Sequence, residues 1–158
     1  MPDDPAEFEI GPPLIGALLR MPVDRIRREV VEALHENGFG DITAAHTAVL
    51  KWPGPRGQRP VELAAQAGMS KQAMNYLLGQ LEGLGYIERV VDPDDVRSRR
   101  VYATERGVAT IAALRSAVAE LERGWKSRLG PEDWDELKRI LVRLNSLIAE
   151  DAAAGAPP

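Results

Sequence analysis

The sequence predicts a mainly α fold with a small β wing: a winged helix-turn-helix with further helices at its N- and C-terminal ends. Three observations predict it. Between Asp41 and Gly107, three short helical patterns are followed by two runs rich in β-branched and aromatic residues. A turn signal, Gly68-Met69-Ser70, separates the second and third of those helices. Apolar stripes at helical spacing flank the block on both sides, over 14–37 and 108–150.

A chain of 158 residues fits one domain over 1–158 and is long enough to bury a core without staples. With no cysteine there is no disulfide framework, thiolate metal site or thiol redox sensor. The two histidines, His35 and His46, lie 11 residues apart, which is not the spacing of paired helical metal ligands. No glycine-rich phosphate loop or Gly-x-Ser-x-Gly elbow is present. The acidic pair Glu132-Asp133 follows Pro131 in a first helical turn, where carboxylates complement the helix dipole. The expectation is no enzyme: no catalytic residue, no metal and no cofactor. No apolar run approaches the roughly 20 residues that span a bilayer. Met1-Pro2-Asp3-Asp4 lacks the basic and apolar regions of a signal peptide, so a cytoplasmic location away from membranes is expected.

Charge is segregated. Residues 1–50 carry 4 Lys/Arg against 9 Asp/Glu, residues 51–107 carry 9 against 7, and residues 108–158 carry 7 against 8. The middle third is the only basic one, although the whole chain is at -4. Its sharpest cluster is Arg97, Arg99 and Arg100. Contact with DNA depends on where cations sit, because each displaces condensed counterions locally.

The elements follow in order. Leu14 to Asn37 reads as a helix with Leu18, Ile26, Val30 and Leu34 on one face. Pro22 predicts a kink or break in it, and Asn37-Gly38 a stop. Asp41-Ile42-Thr43 opens a second helix through Lys51-Trp52, ended by Pro53-Gly54-Pro55. Val61 to Ala67 is a third, with Val61, Leu63 and Ala64 as inward candidates. Gly68 suits a left-handed turn and Ser70 a cap. The fourth helix, Lys71 to about Leu84, puts Met74, Leu77/Leu78, Leu81 and Leu84 inward. Lys71, Gln72, Asn75, Tyr76 and Gln80 are left on or near the other side. Tyr86–Val91 and Arg99–Ala103 read as strands, joined through Asp92-Pro93-Asp94-Asp95 by a loop longer than a two-residue hairpin. Thr104 caps a long helix whose stripe is Val108, Ile111, Leu114, Val118, Leu121, Trp125 and Leu129. Gly130-Pro131 breaks it and starts a last helix striped by Trp134, Leu137, Leu141, Leu144 and Ile148.

Several of these runs resemble the MarR (multiple-antibiotic-resistance regulator) family. They are Asp41-Ile42-Thr43-Ala44-Ala45-His46-Thr47-Ala48-Val49-Leu50, Val61-Glu62-Leu63-Ala64, Leu81-Glu82-x-x-Gly85-Tyr86-Ile87-Glu88-Arg89, Asp92-Pro93-x-Asp95-x-Arg97 and Thr104-Glu105-Arg106-Gly107. The ordered set carries the resemblance, more than any one run. Ala103 departs from the usual leucine, and Val96 from an arginine common at that place in the wing.

The resemblance implies a sequence-specific DNA-binding transcriptional regulator, a repressor acting as a homodimer on a pseudo-palindromic operator. It implies that the 14–37 and 108–150 helices are dimerisation helices around a 41–107 DNA-binding unit. The apolar stripes support self-association independently, since a unit of this size needs little of them for its own core. Base-reading candidates are Gln72, Asn75 and Tyr76, with Lys71 nearer the backbone and Ser70 a cap that also touches phosphate. By resemblance Arg97 enters the minor groove and Asp95 holds it by an ion pair. Arg99 and Arg100 alternate along a strand, so at most one faces DNA. The family's small aromatic effectors imply a cleft that Arg20, His46, Trp52 and Trp125 would border. The same residues also fit a blander pattern, with polar side chains on a solvated helix face and His46 and the tryptophans in core packing. A winged-helix interaction module without specific DNA binding is the alternative.

Overall fold

The structure, a computed structural model, describes residues 13–50 and 57–155. The chain divides into two compact units, Met1–Ala117 and Val118–Pro158, with the boundary inside one long helix. The elements are α1 (Ile15–Glu36), α2 (Ala44–Leu50), α3 (Pro60–Gln66), α4 (Lys71–Gly83), β1 (Ile87–Asp92), β2 (Asp95–Ala103), α5 (Glu105–Leu129) and α6 (Pro131–Ala154). No helix among the described residues is long and apolar enough to cross a membrane.

Of the kink or break expected at Pro22, the break does not occur: α1 runs through it. The carbonyl left without that donor belongs to Leu18, a residue on the exposed part of the helix. Ion pairs at helical spacing, Asp24–Arg27 and Arg25–Glu29, support the turn that follows. Burial along α1 is uneven: Val30 and Leu34 are buried, whereas Leu18 and Met21 are exposed. Asn37 ends the helix as expected, its side-chain amide donating to the Ala33 carbonyl at 2.8 Å.

α2 forms as expected over the described part, while Lys51, Trp52 and the Pro53-Gly54-Pro55 stop lie outside the described residues. α3 begins one residue earlier than the sequence suggests because Pro60 takes the first helical position, where no N–H is required. Leu63 and Ala64 point inward, but Val61 is 47% exposed. Two residues along a helix is a turn of about 200°, so Val61 lies opposite Leu63 and cannot share its face. Gly68, at φ 63°, makes the left-handed turn between α3 and α4. Ser70 then caps α4 by accepting the Ala73 N–H at 3.1 Å. Met74, Leu77, Leu78 and Leu81 form the buried side of α4.

The wing is tighter at its turn than the sequence predicts. β1 and β2 pair antiparallel from Ile87↔Ala103 to Val91↔Arg99, and then Asp92 pairs with Asp95 around the two-residue turn Pro93-Asp94. The slip in register leaves Val96, Arg97 and Ser98 without partners opposite, so the extra length bulges from β2 and does not form a loop. The Asp92 carboxylate organises the turn by accepting the Asp94 N–H at 3.1 Å. On the other side of β2, Gln58 and Val101 exchange backbone hydrogen bonds at 3.2 and 2.8 Å, adding a one-residue third rung. Gly57 beside it is at φ 65°, and a Cβ there would lie 2.6 Å from the Tyr102 ring.

Thr104 caps α5 as expected, accepting the Gly107 N–H at 3.1 Å. The buried stripe of the first turns is Gly107, Thr110 and Leu114, and Val108 faces solvent. The shift has a steric cause: α5 meets the strand end backbone to backbone, and only glycine allows that approach at 107. In the second unit the end of α5 packs on α6 through Trp125 and Trp134, ring centroids 6.2 Å apart. Lys126–Asp135 and Lys138–Glu122 ion pairs flank them at 2.9 and 3.0 Å. Leu137, Ile140 and Ile148 of α6 remain exposed.

Candidate nucleic-acid interface

Helix α4 and the wing present the chain's candidate contact surface, and each is fixed from beneath. Ser70, Lys71, Gln72, Asn75 and Tyr76 are all exposed, and Met74, Leu77, Leu78 and Leu81 anchor the opposite side. Tyr76 is 67% exposed although it is large and aromatic. Its hydroxyl accepts a 3.1 Å hydrogen bond from the Gln80 side-chain amide. Gln80 in turn meets His46 Nε2 at 3.1 Å.

His46 is buried, and its Nδ1 accepts the Thr43 N–H at 3.2 Å. Both ring nitrogens are therefore engaged within the fold. Arg20 is exposed on α1, Trp125 packs on Trp134 in the second unit, and Trp52 lies outside the described residues.

The wing separates its arginines by role. Arg100 turns inward, its Nε 3.0 Å from Asp92 Oδ1, and Arg59 at the start of α3 reaches Asp92 Oδ2 at 2.8 Å. Burial alone would raise the Asp92 carboxyl, but the Arg59 hydrogen bond, the adjoining Arg100 guanidinium and the Asp94 amide outweigh it and hold it at about 2. The triad ties the hairpin to α3. Arg99 stands on the outer side of the strand, exposed, as alternation requires. Arg97 is exposed in the bulge and has no ion pair among the described residues. The resemblance implied an ion pair from Asp95 to its guanidinium, and no such pair forms among the described residues. The Asp95 carboxylate accepts the Arg97 backbone N–H at 3.1 Å, which stabilises the bulge and leaves the guanidinium free.

A second cluster ties the winged unit to α5. The Arg106 guanidinium donates to both Asp41 oxygens at 3.2 and 2.9 Å and to the Leu84 carbonyl at 2.6 Å. It also lies 4.2 Å above the Tyr86 ring. The buried Tyr86 hydroxyl donates to Asp41. Burial, followed by this carboxylate, pushes the Tyr86 phenol up to about 12. The Tyr86 bond first, then the Arg106 charge among smaller contributions, brings the Asp41 carboxyl below its usual range despite burial.

Sequence reasoning missed both clusters and the Gln58 rung. Asp41 and Arg106 are 65 positions apart, and no local pattern announces such a pair. Asp92 looked like turn chemistry alone, although an aspartate at a strand end near two arginines was a usable signal. No group of three or more His, Asp or Glu side chains suited to a metal ion occurs among the described residues.

Residues 41–98 match the model of the MarR family. Solved structures share the fold along most of the chain. A MarR-family transcription regulator is 23% identical with a TM-score of 0.70, covering 88% of each chain. Apo wild-type MarR from E. coli is 26% identical with a TM-score of 0.68, over 84% of this chain and 97% of that one. The transcriptional repressor CouR, bound to a 23-mer DNA duplex, is 25% identical with a TM-score of 0.66, over 84% of this chain and 92% of its own. With the helix order, the paired wing and the matched segment in agreement, residues 41–98 of this chain carry the MarR-family pattern within a winged helix-turn-helix fold shared with MarR-family structures.

Proposed function

We propose that the protein is a sequence-specific DNA-binding transcriptional regulator, acting in the cytoplasm as a homodimeric repressor on a pseudo-palindromic operator. One observation carries the reading: a polar, solvent-facing α4 stands beside a wing whose Arg97 guanidinium is held out with no ion pair among the described residues. A helix of that face fits the major groove, and a free arginine on a projecting hairpin fits the minor groove. The DNA-bound repressor CouR lends support as a structural relative. The exposed apolar residues of α1 and α6 support self-association, which would set two recognition helices about 10 base pairs apart. Release by a small aromatic ligand belongs to the same reading. Arg20, Trp52 and Trp125 are the side chains to test for it, since the His46 ring is already occupied within the fold.

The test is selection from a pool of genomic fragments in about 0.15 M salt, followed by anisotropy on the retained sequence. Enrichment of one pseudo-palindromic site is the expected result. Uniform weak retention, or none, would replace this reading with an interaction module that does not read DNA.

A further inference from the structure

The hydrogen-bond chain beneath Tyr76 has a direction, and the direction decides what Tyr76 offers to a ligand. It begins at the Thr43 backbone N–H, which can only donate. His46 Nδ1 accepts it at 3.2 Å, so the neutral ring carries its proton on Nε2. Nε2 then donates, and its partner at 3.1 Å must be the carbonyl oxygen of Gln80, Oε1. The Gln80 amide orientation is thereby fixed, and Nε2 of Gln80 donates to Tyr76 Oη at 3.1 Å. A phenol has one proton. With Oη already accepting from below, that proton is directed away from Gln80, on a side chain that is 67% exposed on the helix face argued above to meet DNA.

We propose that Tyr76 is a specificity-determining residue that reads a base through its hydroxyl as a hydrogen-bond donor, and that His46 and Gln80 are its positioning residues. The inference rests on the DNA-binding reading and deepens it. The partner is an acceptor on a base edge in the major groove: guanine O6 or N7, adenine N7 or thymine O4. Cytosine N4 and adenine N6 are donors and are disfavoured at the contacted position. A buried histidine satisfied at both nitrogens thus serves a surface residue that it does not touch.

The experiment uses the full chain and the site it selects from genomic DNA, with every base pair of one half-site substituted in turn. Tyr76→Phe removes only the hydroxyl from an exposed side chain. Discrimination is expected to fall about five- to tenfold at one base pair, with affinity for unrelated DNA and the melting temperature unchanged. Gln80→Glu replaces the donor with an acceptor, so the phenol proton turns inward and Oη shows lone pairs outward. It lowers affinity for all DNA by its charge, and at that one position the preference is expected to move toward base edges that donate. His46→Leu is expected to reduce discrimination in the parent protein and to add nothing once Tyr76 is phenylalanine. A merely structural histidine would cost the same in both backgrounds.

An equal loss for Tyr76→Phe at all sequences would mean a phosphate contact and would overturn the proposal. An unchanged base preference in Gln80→Glu would overturn it as well. If the parent protein selects no site, the regulator reading falls and this inference falls with it. If it selects a site that Tyr76→Phe reads equally well, the inference fails alone.

Discussion

Gly107 lies in the first turn of α5, where a Cβ would overlap the Tyr86 carbonyl oxygen and sit 3.1 Å from its carbon. Two effects of Gly107→Ala oppose each other. Alanine favours a helix interior over glycine by about 1 kcal/mol. Forcing a methyl against backbone, which cannot rotate aside, typically costs about 1–3 kcal/mol and sometimes more. The steric effect wins because the obstructing atoms are main chain and Ala103 Cβ is also only 3.3 Å away. Gly107→Ala is expected to lower unfolding free energy by about 1–2 kcal/mol in urea titrations. Gly124 in the same helix has nothing within 4 Å of an added Cβ, so Gly124→Ala should raise stability by up to about 1 kcal/mol. Equal effects at the two positions would sink the steric account. Arg97 is the opposite kind of residue, since no ion pair among the described residues depends on it. Arg97→Ala should leave the melting temperature alone and weaken binding to the selected site about tenfold. The slope of log affinity against log salt should fall by about 1. Unchanged affinity at moderate salt would remove Arg97 from the interface.

At the scale of elements, the hairpin is held to α3 by a single buried carboxylate between two guanidiniums. The Asp92 carboxyl is held at about 2 in the fold against an ordinary 3.8. A depressed carboxylate contributes stability above its unfolded value and loses it as pH falls through the folded one. That contribution is therefore complete above about pH 4 and is lost toward pH 2. Asp92→Asn should destabilise the protein near neutral pH, with faster hydrogen exchange in β1 and β2. It should also flatten the loss of stability between pH 4 and pH 2. An unaltered acid profile would refute the role given to Asp92. This attachment marks the limit of what the sequence disclosed. The α2–α3–α4–hairpin order, the Gly68 turn, the Ser70 and Thr104 caps and the buried side of α4 were legible because periodicity and capping act within a few residues. The site's exposed face was legible for the same reason, as the complement of a buried stripe. The unbroken α1, the outward Val61 and Val108, and the bulge at 96–98 were not legible. Each depends on where solvent or another backbone lies, and local spacing is silent about that.

At the scale of the molecule, Ile15, Leu18 and Met21 of α1, Leu14 just before it, and Ile140, Leu147 and Ile148 of α6 are exposed in a single chain. Scattered exposed apolar residues are ordinary, but these recur along helices whose remaining sides are charged. Dimerisation through both helices would cover them. It would also make two half-site contacts one binding event, which raises affinity by about a hundredfold or more over one arm alone. Introducing a charge into each stripe tests this directly. The double variant Leu18→Glu with Ile148→Glu changes side chains exposed in the single chain, so each chain should keep its helical circular dichroism. Sedimentation equilibrium should report monomers for the variant and dimers for the parent protein. Affinity for the selected operator should fall by about a hundredfold or more, while affinity for an isolated half-site changes little. The salt slope should drop to roughly half, because one winged unit displaces about half the counterions of two. A monomer that binds the full operator as tightly as the parent would break the link between these helices and DNA binding. A variant that stays dimeric would place the interface elsewhere on the chain.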